Sequence, residues 1–387
     1  MPEIRCAALA LFAAAVLPCG AQTWRISPGV SITETYSDNL GLEAQPLASR
    51  GWLTDLSPTL HVENPLNARV HVMADYRLHA LYYSDDSRRN ETQNFLDALA
   101  RIEAVEKSLF LDARAAINLQ SRTPFGTTLA PDFPGATQNR VETRVLGLQP
   151  RWLGNLGDFA VFRAQYAIYG MRVDDPLVPD LTSQHFAAQV RSPSGGSRLG
   201  WALDTDYMEI RPDQAQPRDL SLARLSLRAT VWSTVQVALS EGYDNTNIST
   251  EGRRRGTVPG LGLTWMPSPR TQFATLNERR FFGSSYATSL THRTASTAWR
   301  LNATREVTSL AEIISAGSGM SLSSLLDSLL ATAVPDPQQR SNVVAERFRR
   351  QGLSDSSPLT ANFVTTRPVL RRRIEGSVAY VAPRNVL

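Results

Sequence analysis

Apolar and polar side chains alternate almost without interruption between Arg69 and Tyr83. The apolar positions are Val70, Val72, Ala74, Tyr76, Leu78, Ala80 and Tyr82. Between them lie Arg69, His71, Asp75, Arg77 and His79, with Met73 and Leu81 as apolar exceptions. A period of two predicts a strand with one apolar and one polar face. Its length exceeds that of a typical globular strand and favours a membrane-spanning barrel with a polar interior.

The same alternation recurs along the chain and predicts about 16 strands, with almost no helical periodicity before residue 320. Short connections are predicted near 64–67, 105–108, 153–157, 193–197, 231–234, 267–270 and 294–296. Longer polar connections are predicted near 37–50, 84–92, 121–139, 170–183, 209–218 and 244–256. Such alternation of lengths is typical of outer-membrane barrels. We therefore predict an all-β fold, a transmembrane antiparallel β-barrel, with its strands in 22–306.

Aromatic residues are sorted by strand end in this prediction. Six of the seven tryptophans fall near a short turn or near the N-terminus, and Trp52 is the exception. The opposite strand ends carry Tyr36, Tyr82, Tyr83, Tyr169, Tyr207, Tyr243, Phe281 and Phe282. Aromatic girdles at both bilayer interfaces are a property of membrane barrels. The aromatic pattern therefore predicts two girdles.

The segment 307–365 lacks a convincing strand pattern. Leucines at helical spacing predict a short amphipathic helix over 321–332, and a second helix is predicted over 341–351. Such a long connection is often functional, so we expect a plug, an external lid or a periplasmic arm. A last strand is predicted at 368–381, with Arg371, Arg372 and Arg373 near its start, and it lies within a terminal barrel segment at 366–387.

The first 21 residues have the features of a signal peptide, with an apolar stretch over 6–17 and small residues before a cleavage site after Ala21. Cys6 and Cys19, the two cysteines of the sequence, lie in this segment. The remaining chain then has no disulfide and no thiolate site. An exported protein of this kind is either soluble or an outer-membrane barrel, and the strand pattern favours the Gram-negative outer membrane.

The formal net charge is only +4, which does not indicate a nucleic-acid partner. Lys107 is the only lysine among the 40 basic residues. A GC-rich genome explains this bias most simply. The functional alternative is bidentate arginine contact with phosphate or carboxylate groups of lipopolysaccharide or of an acidic polysaccharide.

Several stretches resemble the PEP-CTERM system-associated outer membrane protein family. The N-terminal stretch contains Glu34, Tyr36, Asp38 and Asn39, and the central one contains Glu278, Arg279, Phe281, Phe282 and Gly283. An Arg384-Asn385 turn after an Arg-rich strand is similar to the C-terminal region of the family. The resemblance implies an outer-membrane location and a link to exosortase and exopolysaccharide production or export. Family members continue past this turn, so the resemblance also predicts that closing strands are missing here.

No pattern in the sequence favours an enzyme. The chain has no H-E-x-x-H pair and no G-x-S-x-G elbow, so we expect no catalytic residues, no metal and no cofactor. The Glu34–Asn39 stretch is better explained by a girdle tyrosine followed by a turn than by a cation or sugar site. His71, His79, Asp75 and Arg77 are better explained by charge pairs on the inner wall than by a titrating cluster.

The leading hypothesis is a non-enzymatic barrel that assists exopolysaccharide or surface-protein traffic. Its partners would be membrane lipid, lipopolysaccharide, and an acidic polysaccharide or export machinery. The candidate inner-wall contacts are Arg69, Arg77, Arg163, Arg371, Arg372 and Arg373. The alternatives are a general diffusion porin and a structural scaffold of the envelope.

Overall fold

A computed structural model describes residues 24–40, 48–64, 69–123, 139–193, 198–248, 252–316 and 363–380, with 330, 334, 339, 340 and 343 as single positions. The predicted signal peptide, its cleavage site and the terminal residues 381–387 lie outside this part of the chain. The helices predicted at 321–332 and 341–351 also lie outside it, except for one position each.

The described chain is built almost entirely from β-strands. The strands are β1 Arg25–Ser37, β2 Gly51–Glu63, β3 Val70–Tyr83, β4 Glu91–Val105, β5 Leu109–Ser121, β6 Arg140–Leu156, β7 Ala160–Val173, β8 Leu181–Arg191, β9 Leu199–Pro212, β10 Arg218–Trp232, β11 Val235–Thr246, β12 Arg254–Ser268, β13 Thr271–Arg280, β14 Gly283–Arg293, β15 Thr297–Thr308 and β16 Val369–Tyr380. A 3₁₀ turn spans Ser87–Arg89, and helix α1 spans Leu310–Ala316. Among these residues, no helix is long and apolar enough to cross a bilayer.

All 16 strands belong to one antiparallel sheet, and each strand pairs with the next in chain order. The prediction of an all-β fold with about 16 antiparallel strands is therefore confirmed. The two edge strands, β1 and β16, are not paired with each other in the described residues. Strand β15 runs to Thr308, so the insert predicted at 307–365 begins just after this residue.

The sheet curves strongly around an interior. Helix α1 follows β15 in the chain, yet it contacts β5, β6 and β7. Near the end of the predicted insert, the backbone N–H of Val364 donates to the carbonyl oxygen of Ser121 in β5 at 2.8 Å. The connection between β15 and β16 thus reaches β5 to β7, about half the sheet away, which is consistent with a sheet curved into a β-barrel. We call the face toward α1 inward and the opposite face outward.

The outward face carries exposed rows of large apolar side chains. Ile374 and Val378 on β16 are 64% and 52% exposed, and Leu225 and Leu227 form a similar row on β10. On β3 the alternation places Val70, Val72 and Ala74 outward, while the buried His71 belongs to the inward row. The two faces predicted from this strand are therefore present.

The connections follow the predicted alternation of short and long with two exceptions. The β9–β10 connection, predicted to be long, spans only 213–217 and is shorter than the preceding β8–β9 connection at 192–198. The second exception is the β13–β14 connection. Arg280 and Gly283 face each other across the β13–β14 hairpin, so this connection contains only Phe281 and Phe282. Gly283 has a φ of +97°, which is easily adopted only by glycine. This family-like stretch is therefore a tight hairpin at the end of the sheet where the other long connections lie.

The tryptophans Trp152, Trp201, Trp232, Trp265 and Trp299 all lie near the short-turn ends of their strands. At the opposite end, Tyr36, Tyr82, Tyr207 and Tyr243 are exposed on the outward face. Two residues assigned to this second girdle were predicted wrongly. Tyr83 and Tyr169 are 5% and 7% exposed and lie inward, because successive residues of a strand point to opposite faces and these two fall on the inward-facing positions of β3 and β7.

Candidate functional site

Arg224 on β10 is the centre of an inward ion cluster that joins three strands. It contacts Glu278 of β13 at 2.5 Å and Asp204 of β9 at 3.2 Å. Gln189 on β8 donates to the other carboxylate oxygen of Asp204 at 2.6 Å. The arginine is 17% exposed, so these contacts are only partly screened by water. The cluster therefore links the inward side chains of β8, β9, β10 and β13 by ion pairs and hydrogen bonds.

A cavity of about 650 Å³ opens beside this cluster and is lined by β8 to β16. Most of the residues that line it are polar or charged, and they include Ser226, Arg228, Thr304, Glu306 and Arg373, while small apolar side chains complete the wall. The Nε atom of Arg228 is buried and has no hydrogen-bond partner among the described residues. Buried polar atoms in proteins normally have a partner, so this nitrogen is unsatisfied among the described residues, and Arg228 meets the cavity through the rest of its side chain.

A second inward ion pair joins β13 to β11. Arg280 binds Asp244 through two bonds, of 2.9 Å and 3.2 Å, and the side chains are 10% and 3% exposed. Planar two-bond geometry is the strong form of an arginine–carboxylate contact. Asp244 lies in the stretch Glu241–Asn245, which partly repeats the residue types of the N-terminal stretch Glu34–Asn39. Its carboxylate is bound to Arg280 on the inner wall.

Helix α1 is attached to the inner wall by a histidine between two carboxylates. His185 on β8 contacts Glu312 of α1 through Nδ1 at 2.9 Å and Asp206 of β9 through Nε2 at 2.8 Å. Ionised carboxylates only accept hydrogen bonds, so both ring nitrogens must donate and the imidazole carries a positive charge. The hydroxyl of Thr308 donates to the second oxygen of Glu312 at 2.8 Å.

Burial works against ionisation of Glu312, but the hydrogen bonds from His185 and Thr308 and the charge of His185 lower its pKa below the usual value. The backbone N–H of Glu312 donates to Ser309 Oγ at 3.1 Å, so Ser309 caps the helix. Glu312 is therefore held through two groups: its backbone N–H bonds to the helix cap Ser309, and its ionised carboxylate bonds to His185 and Thr308.

Apolar packing holds the same helix against the wall. Leu310, Ala311 and Ile314 belong to a buried cluster with residues of β6 to β10, and Leu310 is 2% exposed. Tyr169 of β7 lies in this cluster and crosses over Gly147 of β6, where a Cβ atom would collide with the tyrosine ring. The first part of the insert thus fills the long-connection end of the interior.

The polar face of β3 makes two contacts with β2. His61 Nδ1 lies 2.6 Å from Asp75, its direct neighbour across the strands. His79 Nδ1 lies 2.8 Å from both Asp55 and Ser57 Oγ. These are ladder contacts on the inner wall, as the charge-pair interpretation expects.

Ser57, His79 and Asp55 have the residue types of a hydrolytic triad but a different geometry. A triad needs the serine and the carboxylate on opposite ring nitrogens, whereas both contact Nδ1 here. Ser57 is 3% exposed, and its hydroxyl also lies 2.7 Å from Asp55 Oδ1. The set therefore stabilises the wall and does not form a nucleophile.

The other predicted residues of this region face inward without ion pairs. His71 is 8% exposed, and its Nδ1 has no partner in the described part of the chain. Arg77 is exposed on the inward face and has no recorded partner there. Arg69 is exposed at the bend before β3. On β7, Arg163 is exposed and lies 3.5 Å from Gln165, a contact too long to be strong.

The run Arg371–Arg373 divides between the two faces. Arg371 lies inward opposite Glu306, and Arg373 lies inward beside Glu375 with an ion pair. Arg372 is exposed in the outward row between Leu370 and Ile374, so its assignment to the interior was wrong. Neighbouring strand residues point to opposite faces, which excludes a common site for the three arginines.

The N-terminal motif lies at the end of β1 and in the following loop. Glu34 accepts a hydrogen bond from Thr54 at 2.8 Å, and the ring of Tyr36 packs on Trp52 at 5.2 Å. Asp38 is exposed, and the backbone N–H of Asn39 donates to Ser37 at 3.0 Å. These contacts are those of a strand end followed by a turn.

In the central motif, four side chains lie in different places. Glu278 faces inward to Arg224, Arg279 is exposed outward, and the rings of Phe281 and Phe282 meet edge to face at 5.0 Å. The motif is therefore a hairpin that contributes to both faces of the sheet.

Sequence reasoning did not find His185, Asp206, Glu312 or the Arg224 cluster. A signal for α1 existed, because Ser309 and Glu312 have the S-x-x-E spacing of a capping box. The described residues contain no group of three His, Cys, Asp or Glu side chains arranged to hold a metal. No protein-family model matches this chain, and no curated protein matches it either.

Proposed function

We propose that this chain is a non-enzymatic β-barrel of the Gram-negative outer membrane whose inner wall contacts an acidic polysaccharide during export. It would be secreted with a signal peptide cleaved after Ala21. The resemblance to PEP-CTERM system-associated proteins supports a role beside exosortase and exopolysaccharide synthesis. The observation that carries the proposal is the polar cavity with arginines on the inner wall of β8 to β16.

The charge arrangement of this cavity supports an anionic ligand. Arg228 lines the cavity and has a buried Nε without a partner among the described residues. Arg371 lies beside the cavity, on the same face of β16 as the lining residue Arg373 and opposite Glu306, and no hydrogen bond of its side chain is seen among the described residues. Guanidinium groups pair with carboxylates in a planar, two-bond geometry. Serine, threonine and glutamine side chains nearby suit the hydroxyl groups of a sugar.

The outward face supports insertion in a lipid bilayer. Leucine, isoleucine and valine rows are exposed along β6, β10, β12 and β16, and an aromatic residue stands near each end of many strands. Exposed apolar patches of this extent mark a lipid or protein contact. The proposed partners on this face are membrane lipid and lipopolysaccharide.

A diffusion porin is the second candidate. It is favoured by α1, which packs inside the curved sheet as a constriction would. A porin would conduct ions steadily and show little preference between neutral and acidic sugars. A structural scaffold of the envelope would neither conduct nor bind sugar.

Planar bilayers containing the full chain separate these candidates. We expect oligogalacturonate, an acidic oligosaccharide, to block the current at lower concentration than a neutral dextran of equal length. Each lost charge-assisted contact costs about 1.5–3 kcal/mol. The double variant R228Q/R371Q should therefore weaken the block by at least about tenfold.

The matched control is R144Q/R211Q, which removes two outward arginines. Its block by oligogalacturonate should stay within about twofold of the parent, because these residues do not face the cavity. Equal block by both sugars, or equal loss in both variants, would contradict sugar binding and favour the porin. The neighbouring genes provide a separate check, since an exosortase or polysaccharide polymerase beside this gene is expected.

A further inference from the structure

The outward face of β13 to β16 presents a group of three arginines. Arg279 lies near the end of β13, Arg305 lies on β15 and Arg372 on β16. Arg305 and Arg372 are direct partners in the strand register, and Tyr286 of β14 is the partner of Arg305 on its other side. We call Arg279, Arg305 and Arg372 the outward arginine patch.

The patch has no counter-charge on its own face. The acidic residues of β13 to β16 are Glu278, Glu306 and Glu375, and all three have the inward parity. Two of them line the cavity, and Glu278 binds Arg224. Like charges directly opposite each other in a sheet repel, so the Arg305–Arg372 pair needs an anion from outside these strands.

Three outward arginines elsewhere in the sheet have carboxylate partners within the protein. Arg144 lies 2.6 Å from Glu142, and Arg211 lies 2.8 Å from Glu209. Arg172 has Asp180 within 3.7 Å. The lack of a carboxylate distinguishes the outward arginine patch from these three arginines, and the grouping of its charges on β13, β15 and β16 distinguishes it from the single outward Arg255 of β12.

Arg305 is held in position by neutral groups. Its Nη1 donates to the carbonyl oxygen of Ser284 at 2.5 Å and to Ser284 Oγ at 2.9 Å, and its Nη2 donates to the carbonyl oxygen of Phe282 at 3.3 Å. The guanidinium carbon lies 5.6 Å from the centre of the Phe282 ring. These contacts orient the side chain and leave its full positive charge at the surface.

The position of the patch along the strands matches a bilayer interface. Tyr380 lies eight positions after Arg372 on β16, which is about 26 Å of strand and, at a strand tilt of about 40°, about 20 Å along the membrane normal. The outward side chains between them are Ile374 and Val378, with Gly376. The apolar band of a membrane barrel is about 25 Å tall and ends at polar headgroups. The arginines therefore lie at one edge of the apolar band and the aromatic Tyr380 at the other.

We propose that the outward arginine patch binds the phosphate group of an anionic membrane lipid. This inference rests on the proposed outer-membrane location. A guanidinium presents paired donors that match a phosphate, and three of them on neighbouring strands can share one or two headgroups. The apolar rows below the patch hold the acyl chains, which distinguishes a lipid from a free anion.

The test measures binding of short-chain phosphatidylglycerol to the folded full chain in uncharged detergent micelles by titration calorimetry. An arginine near an anionic lipid surface is worth about 1 kcal/mol, or roughly a fivefold change in affinity. The triple variant R279Q/R305Q/R372Q should therefore bind on the order of a hundredfold more weakly. The triple lysine variant keeps the charges and should lose less than about tenfold.

The matched control is R144Q/R172Q/R211Q, which removes three outward charges that have carboxylate partners. Its affinity for the lipid should stay within about threefold of the parent. Equal loss in both glutamine triples, or no lipid binding by the parent, would overturn the inference. So would tighter binding of inorganic phosphate or oligogalacturonate than of the lipid, or a dimer that the patch variant alone abolishes.

Failure of this inference can be told from failure of the proposed function. A parent chain that does not insert into planar bilayers contradicts the outer-membrane location itself. A parent chain that inserts and conducts, but whose lipid affinity is unchanged in R279Q/R305Q/R372Q, contradicts only the lipid site.

Discussion

Removal of the Glu312 carboxylate should release helix α1 from the inner wall. The variant E312A takes away the acceptor of His185 Nδ1 and of the Thr308 hydroxyl, whose bonds to it are 2.9 Å and 2.8 Å. His185 keeps Asp206 at 2.8 Å, so its charge is not left alone. The helix should therefore loosen while strands β8 and β9 stay paired.

The expected magnitude follows from these contacts. A hydrogen bond to a charged group contributes about 1.5–3 kcal/mol, and His185 retains one such bond. We expect the free energy of helix release to fall by about 2 kcal/mol, which raises the released fraction about 30-fold. The apolar contacts of Leu310 and Ile314 remain, so the helix should stay bound most of the time.

The assay is the labelling rate of a cysteine introduced in place of Ser315. This serine is 3% exposed, its hydroxyl has no partner in the described chain, and Ser315→Cys nearly preserves its shape. The sequence has no other cysteine after the predicted signal peptide, so the label reports one position. Labelling by maleimide should follow the released fraction, because the closed helix covers the thiol.

Glu241 provides a control, since E241A removes an exposed outward carboxylate. In the S315C background its labelling rate should match that of the parent within about twofold. A rate that E312A leaves unchanged, or that E241A raises equally, would refute the attachment of α1 through Glu312.

The same attachment should depend on pH. The pKa of Glu312 is lowered in the folded protein, so its stabilising contribution is full above the unfolded value of about 4.3 and is lost as the pH falls through the lower folded value. The charged groups that face it are His185, Asp206 and Glu306. Labelling of the S315C variant, normalised to the unfolded chain, should stay level at neutral pH and rise below about pH 4. A rise between pH 5 and 7 would contradict this assignment.

Two further substitutions test the inner wall. Gly147→Ala places a Cβ in the ring of Tyr169 and should lower the free energy of unfolding by about 1–3 kcal/mol. The measurement is urea unfolding followed by electrophoretic mobility. Gly170→Ala is the control: a Cβ there meets no atom within 4 Å, so the free energy of unfolding should change by less than about 0.5 kcal/mol. Asp244→Ala leaves the 10% exposed Arg280 without its partner and should cost about 3–5 kcal/mol in the same assay. An unchanged midpoint for either destabilising variant would contradict the packing or the ion pair.

The strands could be predicted from the sequence because a wall with two unlike faces imposes a period of two. On β3 the pattern identified both faces correctly, from His71 inward to Val72 outward. The two tyrosines at positions 82 and 83 show where the reasoning failed. Both were assigned to a girdle by residue type, although adjacent residues in a strand point to opposite faces. Tyr82 is outward and Tyr83 is buried.

The run Arg371–Arg373 was misjudged for the same reason. Its charges suggested one common site, but the strand period places Arg372 on the opposite face from its neighbours. The pattern that predicted the strand was therefore sufficient to divide the run. The charge of a side chain determines which ligands it can bind, and its odd or even position along the strand determines on which face of the sheet it lies.

Contacts between distant strands were beyond the sequence pattern. His185 lies on β8 and Glu312 follows β15, so about half of the strands of the sheet lie between them in chain order. The curvature of the sheet brings the two side chains into contact. Helix α1 has seven residues, which is too short for a helical period to stand out. The Arg224–Glu278 pair likewise joins β10 to β13 across two intervening strands.

The placement of acidic residues links the two proposals. In β13 to β16 every carboxylate faces inward, while arginines occupy both faces. Inside, the carboxylates neutralise part of the positive charge and leave Arg228 and Arg371 for an anionic ligand. Outside, the outward arginine patch has no such partner. Because guanidinium binds both carboxylate and phosphate in a planar geometry, one residue type can serve both faces. The two sites are therefore distinguished by the side of the wall, so a substitution on one face should leave binding on the other unchanged.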